Sequence, residues 1–198
     1  MDKTNLQVIR ESFGRVAYSH KTHEKAAEIE NNKNKSVKWI NIILTTLTSG
    51  SLISTIITNQ TILLYMGSIF SAFILGFTIF QLSFNPAEKA EKHRYVAKEL
   101  WYIREKYVNL MADIVNSRLT DESITSKRDH LIEELKLIYK FAPETDSKSY
   151  KLAREALKLN EELTFSDEEI DQFLPSELKL KKNSPPSSAE PSNPLKAD

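Results

Sequence analysis

The sequence predicts an all-α membrane protein, in which a two-helix transmembrane hairpin joins a helical bundle built from the segments flanking it. Three observations carry this expectation. Residues 39–87 contain no Asp, Glu, Lys, Arg or His, although 27 basic and 27 acidic residues occupy the rest of the 198-residue chain. Glycine is scarce, with four in all and only Gly14 outside the uncharged run. Apolar side chains beyond the run recur at spacings of three and four, the helical period. The mean hydropathy of −0.39 suggests a soluble protein only because charge is so strongly segregated along the chain.

Residues 1–38 are expected to form a cytoplasmic N-terminal helix. Leu6, Ile9, Phe13 and Val16 start an apolar stripe that His20, His23 and Ala27 continue. A bilayer core of about 30 Å needs roughly 20 helical residues. Residues 39–58 and 61–84 each supply that length, giving a hairpin over 39–84 with its tip at Asn59-Gln60. So short a connection makes the two spans antiparallel neighbours. Lys33, Lys35 and Lys38 precede the first span, Lys89, Lys92 and Arg94 follow the second, and the tip carries no charge. The positive-inside rule then places both termini in the cytoplasm of a multi-pass inner-membrane protein. No apolar stretch begins before Val37, so the first span is expected to act as its own insertion signal. Trp39 and Tyr65 suit the two membrane interfaces.

A helical region is expected over 85–181. Asn85-Pro86 reads as an N-cap followed by a first-turn proline. Val96, Leu100, Ile103, Tyr107, Leu110 and Ile114 then keep a heptad-like spacing, which serves a bundle core, an assembly seam between copies, or both. Leu131, Leu135 and Ile138 mark a third element, ended by Ala142-Pro143. Leu152, Ala156, Leu159 and Leu163 mark a fourth. Ser166 with Glu169 forms a capping box that launches a short helix through Ile170, Phe173 and Leu174 before Pro175. Residues 182–198, rich in Pro and Ser, read as a disordered tail.

The uncharged run holds a puzzle in TTLTSGSLIST at residues 45–55. Stepping along a helix by four and three gives Asn41, Thr45, Thr48, Leu52, Thr55 and Asn59, a polar stripe with one exception. Ser and Thr satisfy themselves on the carbonyl one turn back, but amides have no such full solution in lipid. The stripe should therefore face another helix or water. One outcome is packing, with interhelical hydrogen bonds of about 0.6 kcal/mol each, against the small row Ser68, Ala72 and Gly76 of the second span. The other is that hairpins associate through the small row and the stripe lines a narrow aqueous path. With no ring of charge available, such a path would select weakly among ions.

Little points to catalysis. Neither a GxxxxGK phosphate loop nor a GxGxxG turn is present, and no active-site constellation can be named, so the chain is read as a non-enzyme without a cofactor. Cysteine is absent, which removes disulfides and thiolate chemistry. His20, His23 and Glu24 share one helical face, but without a third strong ligand they read as seam histidines and a pH-sensitive contact rather than a metal site. Equal acidic and basic totals, with no basic–aromatic platform, argue against direct nucleic-acid binding.

The segments RVAYSHKTHEKAAEIE, KNKSVKW and FNPAEKAEKHRYVAKEL, set around a tight hairpin, resemble the SLATT families. These are two-transmembrane effector domains associated with SMODS nucleotidyltransferases and SLOG nucleotide sensors. The resemblance runs from about Leu6 to Leu163 and is strongest at Lys21-Thr22-His23 and at Ala87–Arg94. It implies a membrane effector of a bacterial conflict system of the anti-phage, abortive-infection type. Such an effector would be a homo-oligomer that forms a pore or otherwise permeabilises the inner membrane when a partner signals. The implied partner is a nucleotidyltransferase, a SLOG-type sensor or a reverse transcriptase. The family brings no catalytic residues to carry over. The alternative expectation is a membrane-anchored adaptor, whose hairpin only tethers a partner-binding bundle.

Overall fold

The computed structural model describes residues 4–180, which are helical with no strand among them. The tail expected over 182–198 lies outside the described residues. The chain divides into two compact units, one through Glu161 and one from Glu162.

The first unit is organised by one helix, α1 (Asn5–Thr58), of 54 residues. At 1.5 Å per residue it is about 80 Å long. Thr4 caps it with its side chain on the Gln7 amide, and Gln7 returns the bond in a capping box. No proline occurs before Pro86, so nothing breaks the helix where the charged segment meets the apolar one. The N-terminal helix and first apolar span, separated at residue 38 in the sequence reading, are thus one rod. Asn59 ends it in the left-handed region at φ 55°, where an Asn is tolerated well.

After the two-residue tip, α2 (Thr61–Phe84) returns along the apolar half of α1. Asn85, at φ 20° and ψ 71°, separates it from α3 (Pro86–Val115), caps α3 through the Glu88 amide, and is followed by proline at the first helical position. α3 continues along the charged half of α1. α4 (Asp121–Phe141), capped by Thr120, packs on α3, and α5 (Ser147–Lys158), capped by Asp146, packs on α1.

The core lies in the charged half. Ile9 and Val16 of α1 meet Val96, Leu100, Ile103, Tyr107 and Leu110 of α3, with Ile124 and Leu131 of α4 closing one side. Leu135 and Ile138 pack at its edge, as do Phe13 and Ile114. The heptad-like row of α3 is therefore committed inside the chain, against α1. There α1 supplies the apolar face that such a row needs. The fourth element also sits in a different register: α5 buries Ser149, Ala153 and Ala156, while Leu159 is exposed and Leu163 lies beyond the helix end. Small residues let α5 approach α1 closely, and the rings of Tyr18 and Tyr150 stack at 6.2 Å between centroids.

The apolar half inverts this pattern. Ile42, Ile43, Ile53, Ile56, Phe73 and Leu75 are exposed. The most apolar stretches of the two long helices are 0% and 6% buried, whereas the core helix of a soluble protein would be mostly buried. Both are long and apolar enough to cross a membrane.

The second unit contains α6 (Asp167–Phe173), which begins after Ser166 with a reciprocal bond to Glu169, and a 3-10 turn at Ser176–Leu178. Its apolar residues Ile170, Phe173, Leu178 and Leu180 are exposed.

Candidate functional site

Two constellations combine polar chemistry with helix contacts: the hairpin interface and a buried histidine pair in the bundle.

In the hairpin, the face of α1 turned towards α2 runs through Asn41, Leu44, Thr48, Ser51 and Thr55, all half-buried. The Asn41 side-chain amide donates to Gln81 Oε1 at 3.0 Å. Hydroxyls along this face bond to their own helix: Thr48 donates to the Leu44 carbonyl at 2.9 Å, Ser51 to Thr48 at 2.9 Å and Thr55 to Ser51 at 2.8 Å. Outward-facing hydroxyls do the same, as Thr46 on Ile42 and Ser68 on Leu64 illustrate. These hydroxyls are thus compatible with an uncharged environment without lining a water path.

The stripe read from the sequence is split by the fold. Asn41, Thr48 and Thr55 face α2, Thr45 is exposed on the outside, and Asn59 is exposed at the tip. The contacting face steps from 41 to 44 and from 48 to 51, drifting away from the line through 45, 52 and 59. The small row of α2 does not face α1. Ser68, Ala72 and Gly76 are exposed, and a Cβ built on Gly76 meets nothing within 4 Å. The buried glycine is Gly67, where a Cβ would come within 2.9 Å of Ser51 Oγ and 3.1 Å of Leu52 Cδ2. Close approach at the hairpin contact is what requires glycine there.

In the bundle, His20 and His23 are buried. His23 Nδ1 lies 3.0 Å from Nδ1 of His93 on α3, which is buried too. Burial holds His23 down to a pKa of about 4, and His93 and His20 push it the same way. Burial also lowers His93, against the opposing pull of Glu30 and Asp146. Glu24 is lowered to about 2, first by its hydrogen bond with His20 and then by Lys21 at 2.8 Å, with burial opposing. Among the described residues no group of three or more His, Asp or Glu is arranged to hold a metal ion.

His93 was missed as a partner because it lies 70 residues from His23. A signal was present: it falls one turn before Val96 and one heptad before Leu100, on the same face of α3.

A groove of about 860 Å³ lies between α3 and α4, with Tyr95, Tyr102, Leu137 and Phe141 in its wall. The ion pairs Lys92–Glu88 at 2.8 Å and Lys106–Glu134 at 2.7 Å border it.

Two apolar helices joined by a tight turn, continuous with a charged helical bundle, match one family over most of the chain. The profile of the SMODS and SLOG-associating 2TM effector domain family 4 covers residues 6–169. The chain belongs to this SLATT family. No match was found among curated proteins or among solved structures. Family membership makes the chain a membrane effector in conflict systems, of a kind that associates with SMODS and SLOG partners. The match takes in α1 to α5 and ends within α6. In SLATT terms the two apolar helices are the 2TM element, and the buried histidine pair lies in the bundle beside it.

Proposed function

We propose that this SLATT protein is a pore-forming effector of a bacterial anti-phage system, which oligomerises in the inner membrane and permeabilises it when a partner sensor signals. The observation carrying this reading is the row Ser68, Ala72 and Gly76. It faces outward, while the opposite side of α2 already satisfies the hairpin. A small-xxx-small row open to lipid suits close packing of another transmembrane helix. A second copy of the same hairpin lies at the same depth and presents the same row. Both termini then lie on the cytoplasmic side, where the partner meets the bundle.

In this reading α1 transmits the signal, because one unbroken helix joins the bundle core to the membrane. Asn41, Thr48 and Thr55 are turned towards α2 in the closed hairpin. Separation or rotation of α1 against α2 brings them, with Thr45 and Asn59, onto an aqueous path. Their hydroxyls favour water over lipid once the neighbouring helix withdraws.

The test is potassium efflux and dye entry in bacteria expressing the chain with its activated partner. Wild type is compared with Gly76→Val and with Thr45, Thr48 and Thr55 all changed to Val, which removes hydroxyls at nearly constant shape. Leakage in wild type, reduced by both variants at equal membrane insertion, supports the pore. Leakage unaffected by either change means the membrane is damaged by another route. Absence of leakage in activated wild type sinks the pore reading and leaves the adaptor.

A further inference from the structure

A neutral imidazole has one N–H and one lone pair, whereas an imidazolium has two N–H groups and no lone pair. The 3.0 Å contact between His23 Nδ1 and His93 Nδ1 is therefore a hydrogen bond only while one of the two Nδ1 atoms lacks a proton. Protonating the acceptor ring places two N–H groups head to head inside the bundle. The rings, 4% and 6% exposed, have no bulk water to absorb that charge.

The surroundings do little to compensate. On α1, His20 lies beside His23, while Lys21 and Glu24 pair with each other at 2.8 Å. Glu30 of α1 and Asp146 at the start of α5 act on His93. From α4 and the loop before α5, Tyr139 and Glu144 line a cavity of about 360 Å³ that reaches His23, with Tyr150 of α5 opposite. The ring that donates through Nδ1 has its free lone pair on Nε2, so a first proton there leaves the Nδ1 bond intact, and the bond is lost when the second ring is protonated.

The position matters as much as the chemistry. His93 stands eight residues after the break at Asn85, about 12 Å along α3. His23 is on the same helix as the first apolar run. The contact thus fastens together the two helices that lead into the membrane hairpin.

We propose that His23 and His93 form a proton-sensitive clasp, which holds α1 on α3 while the pair shares one Nδ1 proton and lets the helices part when both rings are protonated. Above about pH 6.5 the closed and parted states are both neutral and the clasp is at full strength. Between about 6.5 and 4, a parted His23 takes up a proton that the closed pair refuses. The closed state then weakens by at least roughly tenfold per pH unit as pH falls, because a parted His93 is freed of the same burial and takes up a proton too. A role for this clasp in opening the membrane rests on the pore reading; the clasp itself does not.

The experiment is amide hydrogen exchange on the full chain in lipid nanodiscs from pH 7.5 to 4.5, corrected for intrinsic exchange rates. The expected result is a loss of protection of at least about tenfold in residues 16–27 and 90–100 between pH 7 and 5, with 124–138 unchanged. His93→Asn puts an untitratable amide where Nδ1 lies, which removes one titrating ring and offers an oxygen to a protonated His23, and should shrink the drop. His130→Gln, on the exposed surface of α4, should retain it. Should His93→Asn fail to fold, imidazole ¹⁵N signals of wild type carry the same test. One protonated and one bare Nδ1, both titrating below pH 6.5, support the clasp. Constant protection in wild type, or an equal drop in a folded His93→Asn, overturns it. Potassium release from vesicles, read in parallel, separates the two ideas: protection lost without release keeps the clasp and removes its gating role.

Discussion

Asn41 and Gln81 join their side-chain amides across the base of the hairpin at 3.0 Å, one near the start of the first apolar run and the other near the end of α2. Hydroxyls nearby close onto their own helix, whereas this amide pair links the two helices. It lies at the level where the bundle begins. Gln81 Nε2 is buried without a partner, so the pair is incompletely satisfied.

The first prediction follows from that pair. In a double-mutant cycle of Asn41→Leu and Gln81→Leu, the coupling energy should be about 0.5–1.5 kcal/mol, in line with interhelical bonds in membranes. Unfolding in mild detergent, or steric trapping in bicelles, reads it. A coupling indistinguishable from zero would show that the amides act independently and that register is set elsewhere.

The two glycines of α2 should separate hairpin closure from self-association. Gly67→Val forces side-chain atoms into Ser51 and Leu52 and should destabilise the hairpin by about 1–3 kcal/mol, the usual cost of overpacking. Gly76→Val meets nothing within the chain, so the hairpin should keep its stability. If the outward small row joins copies, Gly76→Val should instead reduce the stoichiometry seen by cross-linking or photobleaching in nanodiscs. Unchanged stoichiometry with Gly76→Val would reject that row as the contact.

Leu100 is fully buried between α1 and α3, and Leu100→Ala should cost about 2–5 kcal/mol through lost burial and the cavity left behind. Thermal melting followed by circular dichroism checks it. The consequence reaches the functional argument. Changes at Leu100, Ile103 or Tyr107 would abolish function in an adaptor or a pore alike, because both need the bundle. Such variants cannot discriminate the two readings, whereas the exposed Gly76 and Thr45 can.

What was legible in the sequence follows how local each signal is. The charge gap of residues 39–87 marks the apolar helices, since lipid exposure forbids charge regardless of the neighbours. Asn85-Pro86 marks the break between α2 and α3 because cap chemistry is decided within four residues. The burial of Val96, Leu100 and Tyr107 was visible in their spacing, but not whether α1 or another copy would cover them. Ser68, Ala72 and Gly76 form a regular row, as do the positions around Gly67. Period alone cannot choose between two faces of one helix, and the choice depends on how α1 is rotated. The histidine pair is the least local feature, requiring both the register of α3 and the pairing of helices 70 residues apart.

The cap of α5 gives a pH-dependent prediction whose sign is fixed by geometry. Asp146 accepts from the Ser149 amide at 2.7 Å, which holds its carboxyl below the usual range. A depressed carboxylate stabilises the fold above its unfolded value of about 3.9, and that contribution is lost as pH falls through the folded value. Asp146→Ala should cost about 1 kcal/mol near neutral pH, and Asp146→Asn much less, because an amide oxygen still caps the helix. The gap between wild type and Asp146→Ala should narrow at strongly acid pH, where a protonated Asp146 caps only as a neutral acceptor. Melting temperatures from pH 7 to 2.5 measure it, alongside a His93→Asn background to reduce the histidine contribution. A gap that stays constant across that range would mean that the carboxylate charge contributes nothing and that Asp146 caps α5 as a neutral acceptor would.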